Sequence, residues 1–167
     1  MKTFRSYSSA ETKQFGVELG QKIKRGKAKI SGAKTAKGAA VIALQGNLGA
    51  GKTTFTQGFA RGLGIKRRMA SPTFIIMRRF AIPRGKKTRA TAPFKNLYHI
   101  DAYRLKKIDS LEPLGLKEIF ADPTSLILIE WPEKIKKALP RKTAWLKFAH
   151  GKKENERIIT QRGIIKW

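Results

Sequence analysis

The chain has 167 residues, 41% of them hydrophobic, which suits one ordinary domain with a two- or three-layer core, and its lack of cysteine excludes disulfides and thiolate metal sites. Residues 1–7 lack the apolar run of a signal peptide and no apolar stretch reaches membrane-spanning length, so we expect a soluble cytoplasmic protein without a membrane partner. With 37 basic and 11 acidic side chains, the net charge of +26 opposes compaction by self-repulsion, and we expect a polyanionic partner.

The first predicted elements are a helix, a basic loop and a strand. Ser8 as N-cap, Glu11 three residues later and apolar residues at four-residue spacing predict a helix over residues 10–24. Residues 26–38 are rich in Lys, Ala and Gly and lack apolar periodicity, which predicts a flexible basic loop. The apolar run 39–44 is typical of a buried parallel strand.

The next segment has the pattern of a phosphate-binding P-loop. It reads Gly-Asn-Leu-Gly-Ala-Gly-Lys-Thr over residues 46–53 and lies between the predicted strand and a predicted helix, as such a loop requires. Loop amides and the helix N-terminus would face phosphate oxygens, Lys52 would reach the β- and γ-phosphates, and the Thr53 hydroxyl would bind Mg²⁺. The predicted nucleotide-binding residues of this segment are Gly46, Asn47, Leu48, Gly49, Ala50, Gly51, Lys52, Thr53 and Thr54.

Further along the chain, extended segments over residues 73–77 and 97–101 are predicted to pair around a basic loop. A helix near residues 110–120, a buried strand over 126–130 and strands within 144–159 follow. The elements together predict the α/β class: one P-loop NTPase-like three-layer domain over residues 1–167, with a central mostly parallel sheet and an inserted basic hairpin. The basic insertions, near residues 25–38 and 81–95, are explained equally by contact with nucleic acid and by solvated loops of a basic proteome.

Two acids end predicted strands and are candidates for chemistry at the phosphates. Glu130 follows four aliphatic residues, and Asp101 follows Tyr-His-Ile at residues 98–100. Either acid would serve as the metal ligand while the other orients the attacking water. No N-K-x-D segment follows the P-loop at a strand end, which favours ATP over GTP as the ligand. His99 lacks metal-ligand spacing to other His, Asp or Glu residues and is interpreted as a packed side chain.

Five motifs in order closely resemble the TsaE (YjeE) family. They are residues 46–55 with the P-loop, Ser-Pro-Thr-Phe at 71–74, Tyr-His-Ile-Asp-Ala-Tyr-Arg-Leu at 98–105, Leu-Gly-Leu at 114–116 and Ile-Glu-Trp-Pro-Glu at 129–133. The resemblance implies an ATP hydrolase that uses Mg²⁺. It further implies that the protein supports the TsaB and TsaD subunits in forming N6-threonylcarbamoyladenosine at position 37 of tRNAs that read ANN codons.

The same resemblance assigns roles to particular residues. It implies that Lys52 and the loop amides bind phosphate, that Thr53 and Glu130 hold Mg²⁺, and that Asp101 is needed for hydrolysis. It further implies that Thr73 is a switch-type threonine near the γ-phosphate and that Trp131 lies beside the site. Thr12 on the first helix is implied to contact the nucleotide. Residues 155–158, with Arg157, only loosely resemble the family's last strand.

Some residues depart from the family pattern. Asn47 stands where an acid is usual, and Arg79 lies near another position that usually carries an acid. An acid at the second P-loop position faces away from phosphate in most P-loops, so we expect Asn47 to cost little binding. The two basic insertions are also atypical of the family, which indicates either added contact with tRNA or an unusually basic proteome.

The sequence is also compatible with two alternative functions. A small P-loop kinase would need an acceptor pocket and a mobile lid with arginines, for which Arg84 and Arg89 are the candidates, and no acceptor-binding motif supports it. An RNA-binding protein with a vestigial nucleotide site is favoured by the charge. It is disfavoured by the complete set of P-loop lysine, P-loop threonine and two strand-end acids.

Overall fold

The structure, a computed structural model, describes residues 2–30, 38–67, 69, 76–84, 94–105 and 115–165. The helices are α1 (Ser9–Lys24), α2 (Lys52–Gly62) and α3 (Leu116–Ala121), with two 3₁₀ turns over Pro132–Ala138 that meet at a kink at Ile135. The strands are β1 (Lys2–Ser6), β2 (Lys29–Ile30), β3 (Ala40–Gln45), β4 (Met77–Ala81), β5 (Asn96–Asp101), β6 (Ser125–Glu130), β7 (Ala144–His150), β8 (Arg157–Arg162) and β9 (Ile164–Ile165). None of the helices in these ranges combines the length and apolar character needed to cross a membrane.

A seven-stranded sheet organises the fold, in the order β1-β8-β7-β3-β6-β5-β4. The four central strands, β7, β3, β6 and β5, run parallel to one another. Antiparallel pairings extend this centre on both sides: β8 pairs with β7 and β1 with β8 on one side, and β4 pairs with β5 on the other. The predicted α/β class with a parallel centre is therefore confirmed.

Helices cover both faces of the sheet because apolar side chains of the central strands alternate between them. On β3, Ile42 and Leu44 pack into the layer that contains α1 and α2, whereas Val41 packs on the opposite side. That opposite layer contains Leu116 of α3 and Ile135 of the 3₁₀ turns. Three layers result, as predicted from the sequence.

Glycines let α1 approach α2 closely. A Cβ atom on Gly58 would overlap the Lys13 carbonyl, and one on Gly16 would overlap the carbonyl of Phe55. Ser8 caps α1 as predicted, since its side chain accepts a hydrogen bond from the Glu11 amide at 3.1 Å. The close helix pair fixes α2, and hence the P-loop that precedes it, on the sheet.

Two predicted segments differ from the structure. The expected loop over residues 26–38 contains β2, which pairs antiparallel with β9, and Ala28 and Ile30 are buried because they pack into the α1/α2 core. Of the strand expected over residues 73–77, residues 73–75 lie outside the described residues; the described strand here is Met77–Ala81, and its antiparallel pairing with β5 confirms the expected pairing. Residues 31–37 and 85–93 of the two basic insertions lie outside the described residues.

The other elements follow the predictions more closely. Helix α1 begins one residue before the predicted range, and the strand predicted over residues 126–130 is β6. The helix predicted near residues 110–120 is present as α3 in its described part, since residues 106–114 lie outside it. Nothing in the local pattern predicted β1, which pairs with β8 from the other end of the chain.

Candidate nucleotide-binding site

The P-loop lies where the carboxyl ends of three neighbouring parallel strands meet. Strand β3 leads into the loop, and its Leu44 lies opposite Glu130 at the end of β6. Glu130 in turn lies opposite Asp101 at the end of β5. The strand register thus places both predicted acids beside the loop, at the sheet edge where ligands of parallel α/β folds bind.

The loop turns back on itself before α2. Gly49 and Gly51 have φ angles of 72° and 96°, which glycine adopts without the strain that a side chain would impose. Residues 48–54 then line a cavity of about 460 Å³, together with Asp101, Tyr103, Glu130 and Trp131. The structure therefore collects most of the predicted site residues around one cavity, and adds Tyr103, which the sequence had not indicated.

Lys52 is held at the cavity by backbone oxygens. Its Nζ donates hydrogen bonds to the carbonyls of Gly46 at 2.6 Å and Asn47 at 2.9 Å, and it lies 4.0 Å from the centroid of the Trp131 ring. Burial lowers the pKa of Lys52 from its ordinary value, and the carboxylates of Glu130, Glu133 and Asp101 partly oppose this effect. An ammonium group stripped of water is a strong counter-charge for an anion that enters the cavity.

Glu130 is buried, and three side chains contact its carboxylate. The Thr53 hydroxyl donates to Oε2 at 3.0 Å, while Oε1 accepts from the Thr56 hydroxyl at 3.4 Å and lies 2.9 Å from His99 Nε2. These contacts fix the carboxylate so that one oxygen lies next to the hydroxyl predicted to bind Mg²⁺.

Thr56 and His99 are contacts that the sequence analysis missed. Thr56 lies four residues after Lys52 on α2 and therefore on the same face of the helix. This spacing could have predicted that Thr56 lies near the site. His99 is packed, as interpreted from the sequence, and it is fully buried because it lies on a central strand. Its Nε2 nevertheless contacts Glu130, while its Nδ1 is buried without a hydrogen-bond partner among the described residues.

Asp101 and two aromatic rings form the other side of the cavity. Asp101 is 3% exposed, and one of its oxygens accepts a hydrogen bond from the Tyr103 amide at 3.0 Å. The rings of Tyr103 and Trp131 lie 5.0 Å apart between centroids. Trp131 adopts a left-handed backbone with φ of 57°, a conformation that is uncommon for a large side chain. This turn directs the chain away from β6 directly after Glu130.

Thr12 and Arg157 lie beside the P-loop but do not line the cavity. Thr12 is buried, and its hydroxyl lies 2.6 Å from that of Ser6; its methyl group would be 3.3 Å from a Cβ on Gly51. Arg157 at the start of β8 donates from Nε to the Gly49 carbonyl at 3.2 Å. Both side chains support the loop from outside, and a contact between Thr12 and a nucleotide stays a prediction. Thr73 lies outside the described residues.

The donor set is compatible with Mg²⁺. The side chains that meet here offer hydroxyl and carboxylate oxygens, the hard ligands that Mg²⁺ prefers. Within the described ranges no group of three or more His, Cys, Asp or Glu side chains could hold a metal. Mg²⁺ in nucleotide sites takes one or two protein ligands and completes its shell with water and phosphate, so this sparse set fits.

A parallel sheet centre, a G-x-x-x-x-G-K-T loop between strand and helix, and an acid at the neighbouring strand end together define a P-loop α/β protein. The family model described as "Threonylcarbamoyl adenosine biosynthesis protein TsaE" matches residues 6–159. The chain belongs to the TsaE family, which confirms the resemblance seen in the five motifs.

Individual relatives agree with this assignment. A tRNA threonylcarbamoyladenosine biosynthesis protein TsaE from Bacillus subtilis is 45% identical over 101 residues, which are 60% of this chain and 56% of that protein. The protein of the same name from Treponema pallidum is 33% identical over 138 residues, 83% of this chain and 84% of the relative. A crystal structure of Bacillus subtilis YdiB superposes with a TM-score of 0.62 at 31% identity, covering 96% of this chain and 83% of the other.

Proposed function

We propose that this protein is a Mg²⁺-dependent ATP hydrolase that supports TsaB and TsaD in forming N6-threonylcarbamoyladenosine at position 37 of ANN-decoding tRNAs. One observation carries the proposal: Lys52, Thr53, Asp101 and Glu130 line a single cavity next to the P-loop backbone. This is the arrangement that phosphoryl transfer to water needs, with counter-charge, metal ligands and a water-positioning acid in one place.

Each of these side chains has a distinct task in the proposed reaction. Lys52 neutralises charge on the β- and γ-phosphates, exchanging a carbonyl contact for a phosphate oxygen. Bound Mg²⁺ would supply charge neutralisation and orientation of the phosphates, held by Thr53 and Glu130. Asp101, on the adjacent strand, accepts a hydrogen bond from the attacking water and orients it towards the γ-phosphate.

A partner is needed to complete the site. Arg157 lies beside the P-loop, but its guanidinium donates to the carbonyls of Gly49, Glu154 and Glu156, and it does not line the cavity. The cavity rim also exposes two large side chains, Leu48 at 82% and Tyr103 at 51%. Exposed apolar groups at the rim suit a protein interface, and a cation supplied across it would stabilise the charge that develops during hydrolysis.

Single-turnover hydrolysis of ATP tests this function. We expect slow hydrolysis by the isolated protein and a faster rate when TsaB, TsaD and tRNA are added, with the γ-phosphate released as inorganic phosphate. The same experiment with small-molecule phosphoryl acceptors addresses the kinase alternative. Transfer to an acceptor, or a high basal rate that ignores TsaB, TsaD and tRNA, would contradict the proposal.

A further inference from the structure

Among the described residues, no helix covers one side of the sheet over β7 and β8. The apolar layer that contains α3 and the 3₁₀ turns takes members from β3, β5 and β6 but, among the described residues, none from β7 or β8. On β7, Leu146 and Phe148 point into the opposite layer with α1 and α2. Trp145 and Lys147 alternate with them and therefore point to the uncovered side.

The uncovered side forms a groove with one aromatic ring among cations. Strand register places Arg162 opposite Trp145 and Thr160 opposite Lys147, so these four side chains share one face. Gln45 of β3, Glu133 and Lys136 of the 3₁₀ turns and Gln161 of β8 complete the lining of a cavity of about 440 Å³. We call it the Trp145 groove, defined by Gln45, Lys136, Trp145, Lys147, Thr160 and Arg162.

The charges in the groove select an anionic ligand. Lys136, Lys147 and Arg162 are all exposed, and the acid that lines the same cavity is Glu133, also exposed. Three cations against one carboxylate leave the groove positive. Trp145 is half-buried, so its ring is fixed by the strand while part of it stays accessible.

A single-stranded nucleic acid matches these features better than an acidic protein surface does. Proteins that bind single strands combine a positive groove that follows the phosphates with aromatic rings on which bases stack. A half-exposed indole between strand-borne cations supplies both parts, and Gln45 and Thr160 add hydrogen-bonding groups for a base or ribose edge. An acidic protein segment would use the cations but would leave the flat ring without a planar partner.

We propose that the Trp145 groove binds a single-stranded segment of RNA, with a base stacked on Trp145 and neighbouring phosphates on Lys147 and Arg162. The groove is separate from the P-loop cavity, although Gln45 directly precedes the P-loop and Glu133 lies two residues after Trp131. None of its residues belongs to the basic insertions near residues 25–38 and 81–95. RNA binding here is independent of whether the P-loop hydrolyses ATP.

The test compares five variants of the full-length chain for binding of an oligouridylate of about eight nucleotides, four at the groove and at a control surface and one in the second basic insertion. Trp145→Leu keeps an apolar side chain but removes the flat ring, and Trp145→Phe restores a ring. Lys147→Ala/Arg162→Ala removes the groove cations. Lys66→Ala/Arg67→Ala is the charge-matched control, because both side chains are exposed and follow α2 on the opposite side of the sheet.

The stacking part of the proposal predicts that Trp145→Leu weakens binding about tenfold or more and that Trp145→Phe largely restores it. An abasic oligomer of the same length should bind wild type as weakly as the oligouridylate binds Trp145→Leu. ATP binding, measured on the same samples, should be unchanged and so reports that the variants are folded. Equal affinity of wild type for the abasic and uridine oligomers would overturn the stacking assignment.

If phosphates bind to the groove cations, Lys147→Ala/Arg162→Ala should weaken the salt dependence. The negative slope of log affinity against log salt should become shallower by about 1.4, as expected for two phosphates of a single strand. Removal of Lys66 and Arg67 should leave the slope within error of wild type. The proposal fails if the control variant, or Lys86→Ala/Lys87→Ala/Arg89→Ala in the insertion, carries the whole effect while the groove variants bind normally. It also fails if the groove variants bind RNA normally but no longer associate with TsaB and TsaD, since the groove would then be a protein interface.

Discussion

Replacing Glu130 by Gln tests the metal-binding half of the site with little change in shape. The amide keeps an oxygen and the same volume, but removes the negative charge beside the Thr53 hydroxyl. Loss of a properly charged metal ligand should lower single-turnover ATP hydrolysis by about 10²-fold or more, which corresponds to about 2.7 kcal/mol of transition-state stabilisation. ATP binding should survive better than turnover, because Lys52 and the loop amides remain.

The expected effect on stability is smaller. The contacts of Glu130 with Thr53, Thr56 and His99 change from charge-assisted to neutral hydrogen bonds, at a cost of about 1 kcal/mol each. The buried charge that these contacts compensate is removed at the same time, which offsets much of that loss. We therefore expect the free energy of unfolding, from urea titration, to change by less than about 2 kcal/mol.

The matched control is Glu133→Gln. Glu133 is exposed, and its carboxylate also acts on Lys52, so the control removes the same charge near the lysine without touching Thr53. Hydrolysis by Glu133→Gln should stay within about threefold of wild type, as expected for a screened surface charge. Normal hydrolysis by a folded Glu130→Gln protein in the presence of TsaB and TsaD would refute the assignment of Glu130.

Three further outcomes follow from the same structure. Asp101→Asn should lower the hydrolysis rate by about 10²-fold while the Kd for ATP stays within about twofold, since this side chain acts on water rather than on the phosphates; a matching loss of ATP affinity would argue against that role. Gly58→Ala should destabilise the fold by about 1–3 kcal/mol in urea titration because its methyl group meets the Lys13 carbonyl, whereas Gln14→Ala on the exposed side of α1 should be nearly neutral. Addition of TsaB and TsaD should raise the single-turnover rate by about tenfold or more, as arginine supplied in trans does for other P-loop proteins, and an unchanged rate would show that the site is complete alone.

Local patterns predicted the parts of the fold that depend on neighbouring residues. The helix after Ser8, the strand before the P-loop and the strand ending at Glu130 each carry their own cap, period or apolar run, and each is present. Strands β1 and β2 could not be predicted in this way, because each pairs with a partner near the other end of the chain. The short polar segment at Lys2–Ser6 becomes a strand only through its pairing with β8.

In the candidate site, too, local patterns predicted some residues, whereas contacts between distant segments could not be predicted. A contiguous motif identified Lys52 and Thr53, and the ends of two apolar strands indicated Asp101 and Glu130. The contact of Thr56 with Glu130 depends on how α2 packs against β6, and that of His99 depends on the pairing of β5 with β6, so no single segment encodes either. The Trp145 groove could not be predicted either, because it depends on the lack of a helix over β7 in the described part of the chain rather than on any residue pattern within that strand.

Isothermal titration of Mg·ATP into wild type and Lys52→Ala tests whether the P-loop cavity is an ATP site. Lys52 lines the cavity and carries a desolvated ammonium, so its removal should weaken ATP affinity at least about tenfold. Lys66→Ala, which removes an exposed lysine outside the cavity, should bind ATP as wild type does. Equal affinity of folded Lys52→Ala and wild type for ATP, or no binding by wild type, would overturn the assignment of this cavity as an ATP site.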